Sequence, residues 1–162
     1  MNKENKKRFQ DLYLKTKLIS HPSFIGRENC IPPANIKEAG ANDLTRLVID
    51  FIIFNDGQAE RISSMGRYID GTKQVTDCIG RKRTIGTGKY VKSTTTNGTA
   101  DISATIKGRS VKIEIKWKKD TQSKDQKAYE ASINKAGGIY IIVKTFDDFV
   151  NWFDDFNSTY LF

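Results

Sequence analysis

Two carboxylates and a lysine, Asp101, Glu114 and Lys116, sit on two short alternating segments that can fold against each other. Along residues 101–106 the apolar Ile102, Ala104 and Ile106 alternate with Asp101, Ser103 and Thr105. Along 111–116, Val111, Ile113 and Ile115 alternate with Lys112, Glu114 and Lys116. Successive side chains on a strand point to opposite faces, so a hairpin that buries the apolar positions groups the acids and the lysine on its other face. A tight turn at Lys107-Gly108, with glycine supplying positive φ, sets Asp101 opposite Glu114; a turn at Gly108-Arg109 sets it opposite Lys116. Either register keeps the three together. Cross-strand Cβ atoms lie about 5 Å apart, and like charges placed there destabilise a sheet unless something compensates them. A divalent cation is the obvious compensation.

The elements around this hairpin follow from pattern and punctuation. Asn42 or Asp43 can cap a helix that runs to about Phe54, with Leu44, Leu47, Val48 and Phe51 on its buried stripe and Asn55-Asp56-Gly57 ending it. Short strands are expected over 58–63, 66–69 and 75–79. A Gly-rich basic stretch over 80–89 follows, which is either a loop over phosphates or a plain hairpin tip and contains no GxxxxGK[ST] pattern. Ser123 and Gln126 have capping-box spacing, so a helix starts at Lys124 and stops at Gly137-Gly138, with Gln126, Tyr129 and Ile133 on one face. The apolar run 139–143 reads as a buried strand, and strand, helix, strand in that order implies a right-handed crossover to a parallel pair. Thr145 caps a last helix carrying Phe146, Phe149, Val150, Phe153 and Phe156. Residues 1–18 can form a basic amphipathic helix, and His21-Pro22 and Ile31-Pro32-Pro33 bracket an irregular link. A basic N-terminal arm over 1–40 and a main domain over 41–162 are therefore expected.

The 162 residues carry 27 basic and 19 acidic side chains, a net charge of +8. Between 81 and 119 eleven Lys or Arg face only Asp101 and Glu114, whereas 145–162 hold four Asp and no base. A positive face around an acidic pair attracts polyanions through phosphate neutralisation and counterion release, which makes nucleic acid the natural partner. Cys30 and Cys78 stand far apart, without CxxC or histidine company, so neither a zinc site nor a disulfide framework is supported. His21, the single histidine, lies in the arm, which argues against His-dependent nuclease chemistry. No apolar stretch has signal-peptide character or membrane-spanning length, so a soluble cytoplasmic protein with no membrane partner is expected.

Helix, β-meander with an Asp and then Glu-x-Lys, helix opening near a Gln, buried strand and helix: this order from Asn42 onward resembles the PD-(D/E)XK restriction-endonuclease-like nucleases, and within them the VRR-Nuc family. The residues carrying the likeness are Gly98-Thr-Ala-Asp101, Ile113-Glu114-Ile115-Lys116, Gln122-Ser-Lys-Asp-Gln126 and Ala136-Gly-Gly-Ile-Tyr140. Arg61 and Arg67 fall in what looks like the family's arginine-rich early strand. The likeness spans most of 42–152. It implies an α/β fold with a mixed sheet flanked by helices in α-β-β-β-α-β-α order, behind an N-terminal helical arm. Two departures stand out: Ala100 precedes Asp101 where Pro or Ser is frequent, and no residue plainly supplies the acid that this superfamily often carries on its first helix, for which Asp43 and Asp50 are the candidates.

The resemblance implies a metal-dependent DNA nuclease, with Mg²⁺, or Mn²⁺ as its substitute, held by Asp101, Glu114 and the Ile115 carbonyl. Lys116 would orient or deprotonate water, Gln126 would position water or phosphate at the edge of the site, and Tyr129 would stand one turn behind it. Arg81, Lys82, Arg83, Lys89 and Lys92, with Arg61 and Arg67, are the expected phosphate contacts. The bland counterpart is a surface Glu114–Lys116 ion pair worth about 0–1 kcal/mol, in a non-catalytic nucleic-acid-binding module. Small size and the lack of a recognition domain point to structure-selective cutting of branched, flapped or junction DNA, or to direction by a replication or recombination partner protein. A homodimer would suit four-way junctions and a monomer flaps or nicks. A phage or mobile-element origin fits a nuclease this compact.

Overall fold

The computed structural model describes residues 1–160. Strands β6 (Ile102–Ile106) and β7 (Arg109–Ile115) form the hairpin read from the alternation. Lys107 and Gly108 make its loop with φ of 47° and 73°, the pair of positive values a type I′ turn demands. The register then follows: Ile106 faces Arg109 and Ile102 faces Ile113, which sets Asp101 opposite Glu114, the first of the two expected arrangements. β1 (Gln58–Arg61) pairs antiparallel with β6, and β8 (Ile139–Val143) pairs parallel with β7, giving a mixed sheet ordered β1-β6-β7-β8.

One face of this sheet makes the core. Ile102, Ala104, Ile106, Val111, Ile113 and Ile115 are buried there against helices α2 (Ala41–Phe54) and α4 (Phe146–Thr159). Phe51 meets Phe146, Phe149 and Phe153 edge-on at centroid separations of 5.3–6.0 Å, the packing that the ring quadrupole favours. Fully burying each such side chain contributes about 1.5–3 kcal/mol. α3 (Lys124–Lys135) lies over the other face, opened by the expected Ser123–Gln126 capping box, while Thr145 caps α4 as expected. The chain is thus mixed α/β.

Several local expectations are corrected. α2 begins at Ala41 with Gly40 in the capping position rather than Asn42 or Asp43; Asp43 sits in the first turn, where its Oδ2 accepts from Ala39 N–H at 3.1 Å. The strand expected over 75–79 is β3 (Lys73–Thr76), whereas the Gly-rich stretch over 80–89 follows the hairpin alternative, running from the turn into β4 (Lys82–Ile85). With β2 (Arg67–Ile69) and β5 (Lys89–Val91), these pieces form a two-stranded excursion between β1 and β6. Its tip is a turn in which Asp77 N–H donates to the Arg81 carbonyl at 2.9 Å.

Residues 1–40 pack on the core. In α1 (Lys3–Ser20) Phe9 is fully buried and touches Phe54 and Phe146 edge-on, and Arg8 grips Asp154 through two bonds of 2.7 and 2.8 Å. The terminal ammonium holds Glu38 at 3.0 Å, and that hydrogen bond, outweighing burial, keeps the ammonium above its ordinary pKa. No helix among the described residues is long and apolar enough to cross a membrane.

Candidate active site

The polar face of the β6–β7 hairpin gathers the residues singled out by their spacing. Lys116 Nζ lies 3.0 Å from Glu114 Oε1 and 2.9 Å from Gln126 Oε1, with Asp120 Oδ2 further out at 3.5 Å. Gln126 Nε2 donates to the same Glu114 Oε1. Gln126 therefore serves two functions with one side chain: its Oε1 also accepts from Ser123 N–H at 2.9 Å, closing the helix cap. Asp101 Oδ2 accepts from Ile115 N–H at 2.9 Å, and the Asp101 carbonyl accepts from Ile62 N–H at 2.8 Å. Asp101 is thereby tied to β7 and to the exit of β1.

Strand alternation placed Glu114 and Lys116 on a face away from the core, yet both are buried, 2% and 4% exposed. The cover is α3 together with the start of β8. Burial pushes the Glu114 carboxyl above the ordinary range, with its Lys116 bond pulling back and the nearby Asp101 charge adding to the rise. For Lys116 burial works against the charged form, but the Glu114 hydrogen bond and charge, with Asp120, outweigh it and hold the ammonium above its usual value. Lys116 is accordingly a cation at neutral pH, poised by acceptors on two elements.

Tyr140, Gln122, Asp120 and Gly98 are neighbours of this group that the spacing argument did not assign. Tyr140 O–H donates to Glu114 Oε2 at 3.4 Å, and burial, then the Glu114 charge, push its phenol far up. Tyr129 meets Tyr140 edge-on at 6.2 Å and so reaches Glu114 only through it. Gln122 holds Glu130 at 2.8 Å beside them. Gly98, at φ 73°, lies so close to α3 that a Cβ would come within 2.3–2.6 Å of the Asp125 carbonyl group and Gln126 N. Only glycine lets the segment leading to Asp101 press on the helix that delivers Gln126.

Asp43 and Asp50 do not join the acids. Asp50 pairs with Arg46 at 3.7 Å, and burial raises its pKa against the pull of that arginine. Seven residues of helix separate it from Asp43, about 10 Å along the axis. Asp43 sits at the end of α2 nearer Asp101, since Arg61 at the exit of β1 donates to Asn42 at 2.8 Å. Among the described residues no three or more Asp, Glu, His or Cys side chains gather as a metal cluster. Arg61, Arg67, Arg81, Lys82, Arg83, Lys89 and Lys92 are all exposed, and six of them lie on or beside the two-stranded excursion, apart from the buried group.

The donor chemistry suits a hard cation. Asp101, Glu114 and the Ile115 carbonyl offer only oxygen. Asp101 Oδ1 accepts nothing from the described residues, and Glu114 Oε2 accepts only the long Tyr140 bond. Ile115 turns its N–H toward Asp101, and N–H and C=O of one strand residue face the same edge. A cleft of about 350 Å³ beside Lys116 adds Lys127 and Lys144, cations that an anionic substrate would meet. Compared with known proteins, no family model matches the chain, and no curated protein matches it either.

Proposed function

We propose that the chain is a metal-dependent DNA nuclease of the restriction-endonuclease-like kind, similar to VRR-Nuc proteins. The observation that carries the reading is the convergence of Asp101, Glu114, Lys116 and Gln126 on one sheet face inside a basic chain. Asp101, Glu114 and the Ile115 carbonyl would hold Mg²⁺ or Mn²⁺, and such an ion, when bound, polarises the scissile phosphate and lowers the pKa of a coordinated water. Lys116 supplies a fixed positive charge for the pentacovalent phosphate and a hydrogen bond that orients the attacking water. Gln126 holds Lys116 and Glu114 in place through one amide, which limits the reorganisation needed at the moment of reaction. Lys127 and Lys144 attract the phosphate backbone toward Lys116.

Structure-selective cutting of branched, flapped or junction DNA is the substrate class we favour, with action in the cytoplasm and, for junctions, a homodimer or a replication or recombination partner. A second reading draws on the closure of the Glu114–Lys116–Gln126 set upon itself, which a non-catalytic nucleic-acid-binding module could keep for stability alone. The two separate in a cleavage assay on duplex, single-stranded, flapped and four-way-junction DNA with Mg²⁺ or Mn²⁺. Cutting that stops with EDTA and with Lys116→Ala, while DNA binding persists, is the expected result. Binding to all four with no cutting above the Lys116→Ala background would leave the module reading in its place.

A further inference from the structure

The excursion between β1 and β6 has no core of its own, and this is its most informative property. All of its strand residues are exposed except the half-buried Val91. Its two halves nonetheless keep one register: Arg67 faces Val91, Lys73 faces Ile85 and Thr76 faces Lys82. The two ladders thus share one register in an antiparallel excursion with ten residues on each side, interrupted at 70–72 and 86–88, where Thr72 N–H donates to Asp70 at 2.9 Å and Gly86 takes a φ of 92°; at 3.3 Å per residue it reaches about 30 Å. Isolated two-stranded ribbons are marginal in water. Tyr68 and Tyr90 stiffen this one at its root, lying over Gly88 and Gly66, where a Cβ would overlap the phenol rings.

We propose that the ribbon is an arm that enters the major groove of duplex DNA and carries that duplex to the candidate site. The proposal rests on the nucleic-acid part of the reading above, not on catalysis. Facing residues of an antiparallel pair share a side, so Arg67, Ile69 and Lys89 lie together on the root half, and Lys73, Val75, Arg83 and Ile85 lie together on the tip half. Each group combines cations with exposed aliphatics: Ile69, Val75 and Ile85 are 38%, 43% and 54% exposed. Arg83 pairs with Asp77 at 3.4 Å, whereas Arg67, Lys73, Lys82 and Lys89 have no acidic partner among the described residues. The major groove admits a two-stranded ribbon, offers thymine methyl groups to aliphatic side chains, and is walled by phosphates. Two such ribbons from two copies would oppose cation to cation, so the charge favours DNA over self-association.

The root of the ribbon gives the arm a direction. Ile62, which leads into it, donates to the Asp101 carbonyl at 2.8 Å. On its return the chain borders a polar cleft of about 550 Å³ between the root and the start of α3, lined by Lys92, Ser93, Thr95 and Asn97. A duplex held along the ribbon meets these phosphate-binding side chains before the carboxylates. The ribbon's length matches the rise of about nine base pairs.

The test reads binding in EDTA, where no DNA is cut. Wild type is compared with a variant carrying Arg67→Ala, Lys73→Ala, Arg83→Ala and Lys89→Ala, and with a second variant in which residues 70–88 are replaced by Gly-Gly; circular dichroism confirms that both are folded. On a duplex of about 30 base pairs the four-alanine variant should bind at least about 100-fold more weakly, with a log–log salt slope lower by about 3–4. Both variants should also lose protection of guanine N7 over about one helical turn, and affinity for a single strand should fall much less. Unchanged duplex affinity and salt slope in a folded variant would overturn the arm, as would an equal loss on single strands, unaltered N7 protection, or a shift in oligomeric state with binding intact. A wild type that binds duplex but never cuts it removes the catalytic reading and leaves the arm standing.

Discussion

Replacing Lys116 by Met removes the ammonium that sits 3.0 Å from Glu114 Oε1, in a pair whose side chains are 6% and 3% exposed. Removing one partner of a buried pair leaves an uncompensated charge and costs about 3–5 kcal/mol. Asp120 loses a partner too, but at 57% exposure it stays solvated and adds little. The penalty depends on pH. Burial already raises the Glu114 carboxyl, and without the Lys116 bond it rises further. A carboxylate with a raised folded pKa binds more protons when folded than when unfolded, so stability falls as pH rises through the folded value. Below the unfolded value near about 4.3 the group is neutral in both states and the penalty shrinks. Urea unfolding of Lys116→Met against wild type should therefore show the full loss at about pH 8 and a much smaller one at about pH 4.5. In thermal melts the pH 8 loss corresponds to roughly 6–20 °C for a chain of this length. Adding Glu114→Gln should restore most of it. A loss that is equal at both pH values, or a double variant no better than the single, would refute the buried-pair description.

Gly98→Ala should cost about 1–3 kcal/mol from the positive φ alone, and, because its Cβ would strike the Asp125 carbonyl, it should also depress cleavage more than an equally destabilising core variant. Gln126→Ala removes the cap and the amide that bridges Lys116 and Glu114; denaturant unfolding should report a loss of about 1–2 kcal/mol. Tyr140→Phe deletes a bond that lowers the Glu114 pKa, so the acid limb of the cleavage pH profile should move upward while stability changes by less than about 1 kcal/mol. Phe9→Ala should cost about 3–5 kcal/mol in the same unfolding assay, because α1 fills the core rather than hanging from it.

The parts of this structure that bury one face were legible in the sequence. Alternation gave the β6–β7 hairpin, the Ser123–Gln126 spacing gave the start of α3, and the phenylalanine stripe gave α4. The register stayed open because Gly108 serves either turn, and it was settled by Lys107 accepting a φ of 47°. The ribbon was legible only in part, as short strands over 66–69 and 75–79 and one reading of 80–89; β5 and the pairing were hidden because strands exposed on both sides leave no burial pattern. Gly40 displaced two better side-chain caps because Asp43, in the first turn, reaches back to Ala39 instead. Tyr140 meets Glu114 only through the parallel register of β7 and β8, in which Lys112 faces Tyr140 and Glu114 faces Ile142. That register is a long-range fact which local spacing does not encode. The burial of Lys116 and Glu114 has the same origin, since their cover comes from elements that follow them in the chain.

The most direct test of the central claim is a Mn²⁺ titration of wild type and Asp101→Asn, each followed by addition of the DNA that wild type prefers. Wild type should bind the ion and cut, and the folded variant should bind it far more weakly and cut at least about 100-fold more slowly. Equal ion binding by the two proteins, or cutting undiminished in Asp101→Asn, would contradict the assignment of Asp101, Glu114 and Ile115 as the metal-holding centre of a nuclease.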